Sequence, residues 1–294
     1  MNKVYFTKNI NSDSLINIFK HLNVELKGKV GIKVSTGEEG SQGYLKQDLI
    51  KGLHDLVNGT YIECCTAYDG ERTTYEDHIR VAREHGFNDC DILDKDGDIL
   101  LEVDGKHLKY DLVGKNIENY DSFINLAHGK GHAMGGFGAN LKNQSIGFAS
   151  RSGKAYIHSA GKLTDASILW ENIPEQKDFI ESMAEACLAV KNYLDKNNKQ
   201  IVYITVINYL SVDCDCDSHQ SKPVMDDIGI IASTDPVSND QAFYDLIMNS
   251  NDPGKSKLLE RINTRFGEHI LEYAESIGVG SREYELVNID EEKN

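Results

Sequence analysis

Apolar positions along the chain repeat every three to four residues in some stretches and cluster as short β-branched runs in others. Residues 12–22 (SDSLINIFKHL) carry a helical stripe behind the cap candidates Ser12 and Asp13. Residues 29–35 (KVGIKVS) read as a strand, followed by the glycine-rich loop TGEEGSQG. Residues 44–57 place Leu45, Leu49, Leu53 and Leu56 on one helical face, closed by Gly59. A strand over 60–66 (TYIECCT) comes next. A helix over 74–85 follows, with Thr73 and Glu76 as a capping pair and Gly86 as its stop. This order predicts an α/β protein. Its sheet is mostly parallel or mixed and covered by helices, with a pocket at the carboxyl ends of the strands.

Residues 91–113 read as a β-ribbon turning at Asp96-Gly97. Asp94, Asp96 and Asp98 have the spacing of a calcium loop, but the glycine comes too early and no glutamate closes it. SFINLAH (122–128) is a short strand opening into a long glycine-rich segment. The stretch 175–196 is a helix with Phe179, Met183, Cys187, Val190 and Leu194 on its apolar face. QIVYITVINYLS (200–211) is an apolar strand running into VDCDCDSH, and DIGIIAS (227–233) is another. Asp235 suits the N-cap and Pro236 the first position of a helix reaching Met248. The last forty residues read as a helical tail with a frayed, acidic end. No repeat or low-complexity linker interrupts the pattern. Residues 1–294 therefore read as one domain, divisible into lobes 1–165 and 166–294.

Composition narrows the partners. The 47 acidic residues against 31 Lys and Arg give a net charge of −16, the wrong sign for nucleic acid or an anionic membrane. The N-terminus MNKVYFTKNINSD lacks the apolar core of a secretory signal, and no apolar run is long enough to span a bilayer, so a cytoplasmic protein is expected. Six cysteines, sparse in a long chain, then read as reduced thiols.

The acidic average hides an exception. From Ser122 to Thr164 there is no Asp or Glu, while the same span holds five lysines and arginines, three histidines and eight glycines. Glycines let backbone N–H groups approach a ligand, and lysines supply counter-charge. The segment reads as an anion-holding loop system. His128, His132, His158 and Lys142 are its acid–base candidates, and Lys130, Gly135, Gly136, Gly138 and Lys154 its ligand-holding candidates. A buried glycine-rich connection that excludes acids is the alternative. No P-loop ending is present and no G-x-G-x-x-G opens a helix, so a standard nucleotide fold is disfavoured. A second cluster, Cys214, Cys216 and His219, offers two thiolates and an imidazole suited to zinc or iron. Two reduced thiols at a loop are the alternative there. Cys64 and Cys65 read as packing.

Several stretches resemble the domain-of-unknown-function 362 family, whose members are often labelled iron–sulfur-centre proteins. They are VGIKVSTGEEG, TAYDGERTTYEDHIRVAREHGF, LAHGKGHAMGGFGANLKNQSIGFASRSGKAYIHSAG, and DCDCDSH followed by DIGIIASTDPVSNDQAFYDL. Together they span about residues 28–248. Many members carry a ferredoxin-like insertion after the HSAG stretch. This chain runs from Lys162 through Leu169-Trp170 straight into a helix and has no C-x-x-C-x-x-C run, so the cluster ligands are absent. The resemblance implies the shared α/β core and its pocket, with no established reaction. A weaker resemblance, to the N-terminal domain of lactate-racemase-like proteins, rests on Lys142 and His158 sixteen residues apart and on Arg72. The residues around the lysine differ from that pattern.

Two functional readings follow. One is a metal- or cofactor-dependent enzyme, an oxidoreductase or isomerase, acting on a small anionic substrate. The other is an accessory or electron-transfer-linked binding protein, whose acidic surface steers it to a redox partner. A homo-oligomer is compatible with both.

Overall fold

The computed structural model describes residues 1–291. The chain runs β1 (Asn2–Thr7), α1 (Ser12–His21), β2 (Val30–Lys33), α2 (Gln47–Val57), β3 (Thr60–Glu63), α3 (Tyr75–Glu84) and β4 (Cys90–Ile92). Next come β5 (Asp98–Glu102), β6 (Tyr110–Gly114), β7 (Ser122–His128), β8 (Lys130–His132), β9 (Gly136–Gly138), α4 (Asn140–Phe148), α5 (Arg151–His158) and α6 (Gln176–Lys196). The last third holds β10 (Gln200–Ile207), β11 (Gly229–Ser233), α7 (Pro236–Met248), α8 (Lys255–Thr264), α9 (His269–Ser276) and β12 (Tyr284–Asn288).

Eight strands form one sheet in the order β12-β1-β11-β10-β7-β2-β3-β4. Every strand runs the same way except β11, which is antiparallel to both neighbours. The fold is therefore the expected α/β class with a mixed, mostly parallel sheet. Strand β7 lies at the centre and all seven of its residues are buried. Its side chains alternate between faces, as strand geometry demands. Ile124 and Leu126 join α1 and α2 in one apolar cluster, whereas Phe123 joins the helices from α4 onward in the other. The apolar stripes of α1 and α2 thus cover one face and α4–α7 the opposite one. Among the described residues no helix is long and apolar enough to cross a membrane.

The strand order locates the ligand crevice. From β2 the chain steps outward to β3 and β4, then returns to place β7 on the other side of β2. The two series diverge at β2 and β7, and open α/β sheets bind ligands beyond the carboxyl ends of strands at such a point.

Three expectations are corrected. The ribbon is β5–β6, beginning after the Asp96-Gly97 turn, because Cys90–Ile92 instead extends the main sheet beside β3. The cap of α3 is Thr74, whose hydroxyl accepts the Asp77 N–H, one residue later than the Thr73–Glu76 pair. The glycine-rich segment is not a long loop but contains a hairpin and two helices. Its glycines serve close packing: a Cβ on Gly147 would come within 2.5 Å of Lys33 Cε, and one on Gly153 would strike the Leu112 carbonyl. Residues 292–294, part of the acidic end, lie outside the described residues.

Candidate functional site

A cleft of about 680 Å³ opens where the crevice is expected, between the ends of β2 and β3 and the helices α4 and α5. Lys33 closes β2 with a fully buried side chain, 3.2 Å from Asn143 Oδ1 and 3.9 Å from Glu63 Oε1. Burial lowers its pKa and Glu63 opposes the shift. Glu63, at the end of β3, accepts from the Thr36 hydroxyl at 2.6 Å and lies 2.8 Å from His78 Nε2. Burial pushes its carboxyl up, but Arg72, His78 and Lys33 together hold it well below the usual carboxylate range. Arg72 bridges Glu63 at 3.4 Å and Glu38 at 3.3 Å.

Two cations thus face two carboxylates. Lys142 and Lys154 are left over, since neither has a carboxylate partner among the described residues. Lys154 donates to the Ala149 carbonyl at 2.6 Å. Lys142 stands in the first turn of α4, which Asp240 fixes by accepting the Asn140 and Leu141 N–H groups at 2.8 Å each. Its ammonium has no hydrogen-bond partner among the described residues. Burial, reinforced by Lys130, lowers its pKa to about 7. Ser150 caps α5 by accepting the Gly153 N–H, which places Lys154 and His158 one turn apart on the same face. His158 donates from Nδ1 to the Lys154 carbonyl at 2.7 Å and stacks on Phe179 with ring centres 4.9 Å apart. Burial drops its pKa to about 4, so the ring is neutral and its Nε2 keeps a lone pair.

Of the residues singled out in the sequence, Lys142, Lys154, His132, His158 and Cys216 line this cleft. His128 and Lys130 do not. Lys130 holds Asp215 in the loop after β10, its Nζ 3.1 Å from the carboxylate, while His128 donates from Nε2 to the Asn208 carbonyl at 2.7 Å and its Nδ1 lies 3.5 Å from Asp215 without a hydrogen bond. Gly135, Gly136 and Gly138 lie in the β8–β9 hairpin, away from the cleft. Gly136 has φ +80° and packs where a Cβ would press on the Ile262 carbonyl and Gly267.

The Cys-Asp-Cys turn differs from expectation in two ways. Strand β10 stops at Ile207, so Cys214 and Cys216 lie in a loop where they form a disulfide, leaving Cys64, Cys65, Cys90 and Cys187 free. His219 is exposed and pairs with the Ser218 hydroxyl at 3.0 Å, so the triad Cys214–Cys216–His219 is not assembled. The neighbouring imidazole is that of His132, whose ligand atom lies within 4.8 Å of both sulfurs. Its Nδ1 accepts the Gly135 N–H at 2.9 Å and the Met134 N–H at 3.2 Å. The ring proton is therefore on Nε2, 3.9 Å from Cys216 Sγ, and no lone pair faces the sulfurs. Zinc or iron held by this trio would need that tautomer reversed against two backbone donors.

Sequence reasoning passed over Lys33, Glu63 and Glu38. The first two carried a signal, since each is a charged residue inside an otherwise apolar strand.

The fold and cleft define an open α/β-sheet protein with a crevice at its switch point lined by apolar residues and by charged groups of both signs. A family model described as "Domain of unknown function (DUF362)" matches residues 30–245, and the chain belongs to that family. No curated protein matches its sequence. Among solved structures it is similar to a Thermotoga maritima protein (TM-score 0.43, 11% identity, 86% of this chain and 58% of that one). It is also similar to the lactate racemase apoprotein from Thermoanaerobacterium thermosaccharolyticum (TM-score 0.41, 13% identity, 69% of this chain and 50% of that one). The chain thus spans between 50% and 58% of the length of these two proteins.

Proposed function

We propose that the cleft is the active site of an enzyme performing acid–base chemistry on a small anionic substrate bearing a carboxylate or phosphate. The observation that carries this is Lys142, an amine near its titration point with no acidic partner, standing in a cleft where Lys154 is also unneutralised. A structural lysine would be paired or turned to solvent. An incoming anion would pair with Lys142 and Lys154, which the other lining carboxylates, Glu39, Asp69, Glu71 and Asp217, do not contact. Lys142 then takes or returns the proton, and the neutral His158 offers Nε2 as the second acid–base group. Arg72 and Lys33, held by Glu38 and Glu63, fix the wall of the cleft. The metal-dependent form of this reading is not needed by these groups, and the donor set at Cys214 and Cys216 does not support it.

Thermal unfolding with phosphate and with oxalate tests the binding step. An anion at 100 times its Kd adds about 2.7 kcal/mol, and Lys142→Gln is expected to remove most of that. Lactate and phosphoglycolate, anions of the same two kinds that carry a C–H bond next to the carboxylate, are then incubated with the protein in D2O. Deuterium entering a carbon-bound position, and failing to enter with Lys142→Gln, supports catalysis. Binding without exchange returns the protein to the accessory reading, and no anion effect at all overturns the site.

A further inference from the structure

We propose that Cys214 and Cys216 are a redox-active dithiol–disulfide pair that exchanges with a small anionic thiol, Cys216 being the sulfur attacked and Cys214 the leaving one. The two sulfurs are inequivalent. Cys216 lines the cleft and is half-buried, whereas Cys214 is 3% exposed. A thiolate arriving through the cleft reaches Cys216 alone. The bond encloses a single intervening residue, the low end of the loop-entropy range, so it adds little to fold stability. The loop does not need it, because Asp215 is already held by Lys130 at 3.1 Å. The Asp215 carbonyl also accepts the Glu38 N–H at 2.8 Å, and the Tyr68 hydroxyl donates to the Cys216 carbonyl at 3.3 Å.

Polar groups surround the pair on both sides. The Cys216 N–H points at Cys214 Sγ at 3.2 Å, ready to stabilise the leaving thiolate. His132, with its proton fixed on Nε2, is a donor towards Cys216 Sγ and Lys142 stands in the same cleft, against the carboxylates of Asp215 and Asp217 on either side of the cysteine. In the first step the thiolate RS⁻ attacks Cys216 Sγ, an S–S bond to R forms, and the Cys214–Cys216 bond breaks with its electron pair leaving on Cys214. A second RS⁻ attacks the R sulfur, releasing RSSR and the Cys216 thiolate, and the two protein thiolates take the protons of the two thiols. Two electrons pass from two RSH to the protein disulfide, and the reverse sequence reoxidises it. The choice of an anionic thiol rests on Lys142 and Lys154, the two cleft lysines without an ion-pair partner among the described residues, and so on the reading of the preceding section. The exchange itself does not require Lys142 to act as a base.

Glutathione is the probe. The Cys214→Ser chain treated with oxidised glutathione is expected to take one adduct, mapped to Cys216 by peptide mass spectrometry, and the Cys216→Ser chain at least tenfold less. Burial pushes the Cys64, Cys90 and Cys187 thiols well above their ordinary range and Cys65 to about 12, so these stay unmodified. Oxidised glutathione should react at least tenfold faster than the uncharged 2-hydroxyethyl disulfide. The rate of Cys216 alkylation by iodoacetamide in Cys214→Ser should show an inflection below the ordinary thiol value of about 8.5, and His132→Gln should slow it about tenfold at pH 7. Adducts on Cys214, equal labelling of both sulfurs, or an inflection at or above 8.5 overturns the pair's assignment. Equal rates with the two disulfides overturn the anionic substrate alone. Because the main readout is a mass adduct on one thiol, failure of the lysine chemistry and failure of this exchange are separable.

Discussion

Replacing Lys142 by Met should make the protein more stable at acidic pH, the reverse of what removing a structural lysine does. Unfolded, the amine titrates at its ordinary 10.5, and in the cleft at about 7. At roughly 1.4 kcal/mol per pH unit, holding the ammonium in the folded state costs at most about 5 kcal/mol. The side chain is half-buried, and water reaching the cleft screens much of this, so about 1–3 kcal/mol is expected. Below pH 7 both states are protonated and the whole penalty applies. Between 7 and 10.5 the folded state has released the proton and the unfolded state has not, so wild-type stability climbs with pH. Urea unfolding of wild type and Lys142→Met at pH 6 and pH 9 reads the difference. The variant should be ahead by about 1–3 kcal/mol at pH 6, and the gap should narrow with rising pH, by an amount at pH 9 set by how far the folded amine's pKa lies below 10.5. Saturating phosphate at pH 6 should close the gap by stabilising wild type alone. A variant less stable than wild type at pH 6, or a gap that ignores pH, refutes the unpaired cation and with it the main support for the active site.

Two further substitutions probe groups around the cleft. Glu63→Gln leaves Arg72 and Lys33 facing a neutral amide and should cost about 3–5 kcal/mol in urea unfolding at pH 7. Because Glu63 is held below its ordinary value, its contribution is present at neutral pH and fades as pH falls below about 4.5, and a loss under about 1 kcal/mol at pH 7 would show that the pairs are solvated. Asp111 is buried and pushed up to about 7, with the Leu112 N–H opposing, so the folded state keeps a proton that the unfolded state releases near 3.8. Wild-type stability should therefore fall as pH rises from about 4 to 7, by at most about 4 kcal/mol, and Asp111→Asn should flatten that slope; an unchanged slope places the titration elsewhere.

The elements that bury a clear stripe were legible in the chain. Helices α1, α2, α6 and α7 and strands β2, β3, β7 and β10 announce themselves by period, and Asp235-Pro236 marks the start of α7 to the residue. The elements that were not legible depend on partners distant in sequence. Strand β12 (YELVN) is half-exposed and weakly apolar, and it is a strand because β1 offers it a parallel edge. Helices α4 and α5 have glycines that would weaken a helix in solution. Here Gly147 lies against Lys33 and Gly153 against the Leu112 carbonyl, contacts that exist only once β2 and β6 are in place.

The same distinction explains why some residues of the acid-free segment line the cleft and others do not. Acids are missing from it for two unrelated reasons. Strand β7 and the start of α4 lie inside the molecule, where an unpaired carboxylate is not tolerated. The cleft-facing ends of α4 and α5 leave Lys142 and Lys154 without carboxylate partners. Sequence shows the shared absence and not the two causes, so Lys130, which pairs with Asp215, and His128, which donates to the Asn208 carbonyl, look the same as Lys142 and His158. The carboxylates that decide which lysine stays unpaired, Glu38 and Glu63, arrive with β2 and β3. Parallel pairing of β2 with both β3 and β7 puts Lys33 beside Ile62 and Asn125 and within reach of Glu63. Glu63 and Glu38 are committed to Lys33 and Arg72 and Asp215 to Lys130, and Lys142 makes no ion pair among the described residues. The unpaired state of Lys142 therefore depends on strand register, through where Glu38 and Glu63 are held, as much as on the segment that contains it.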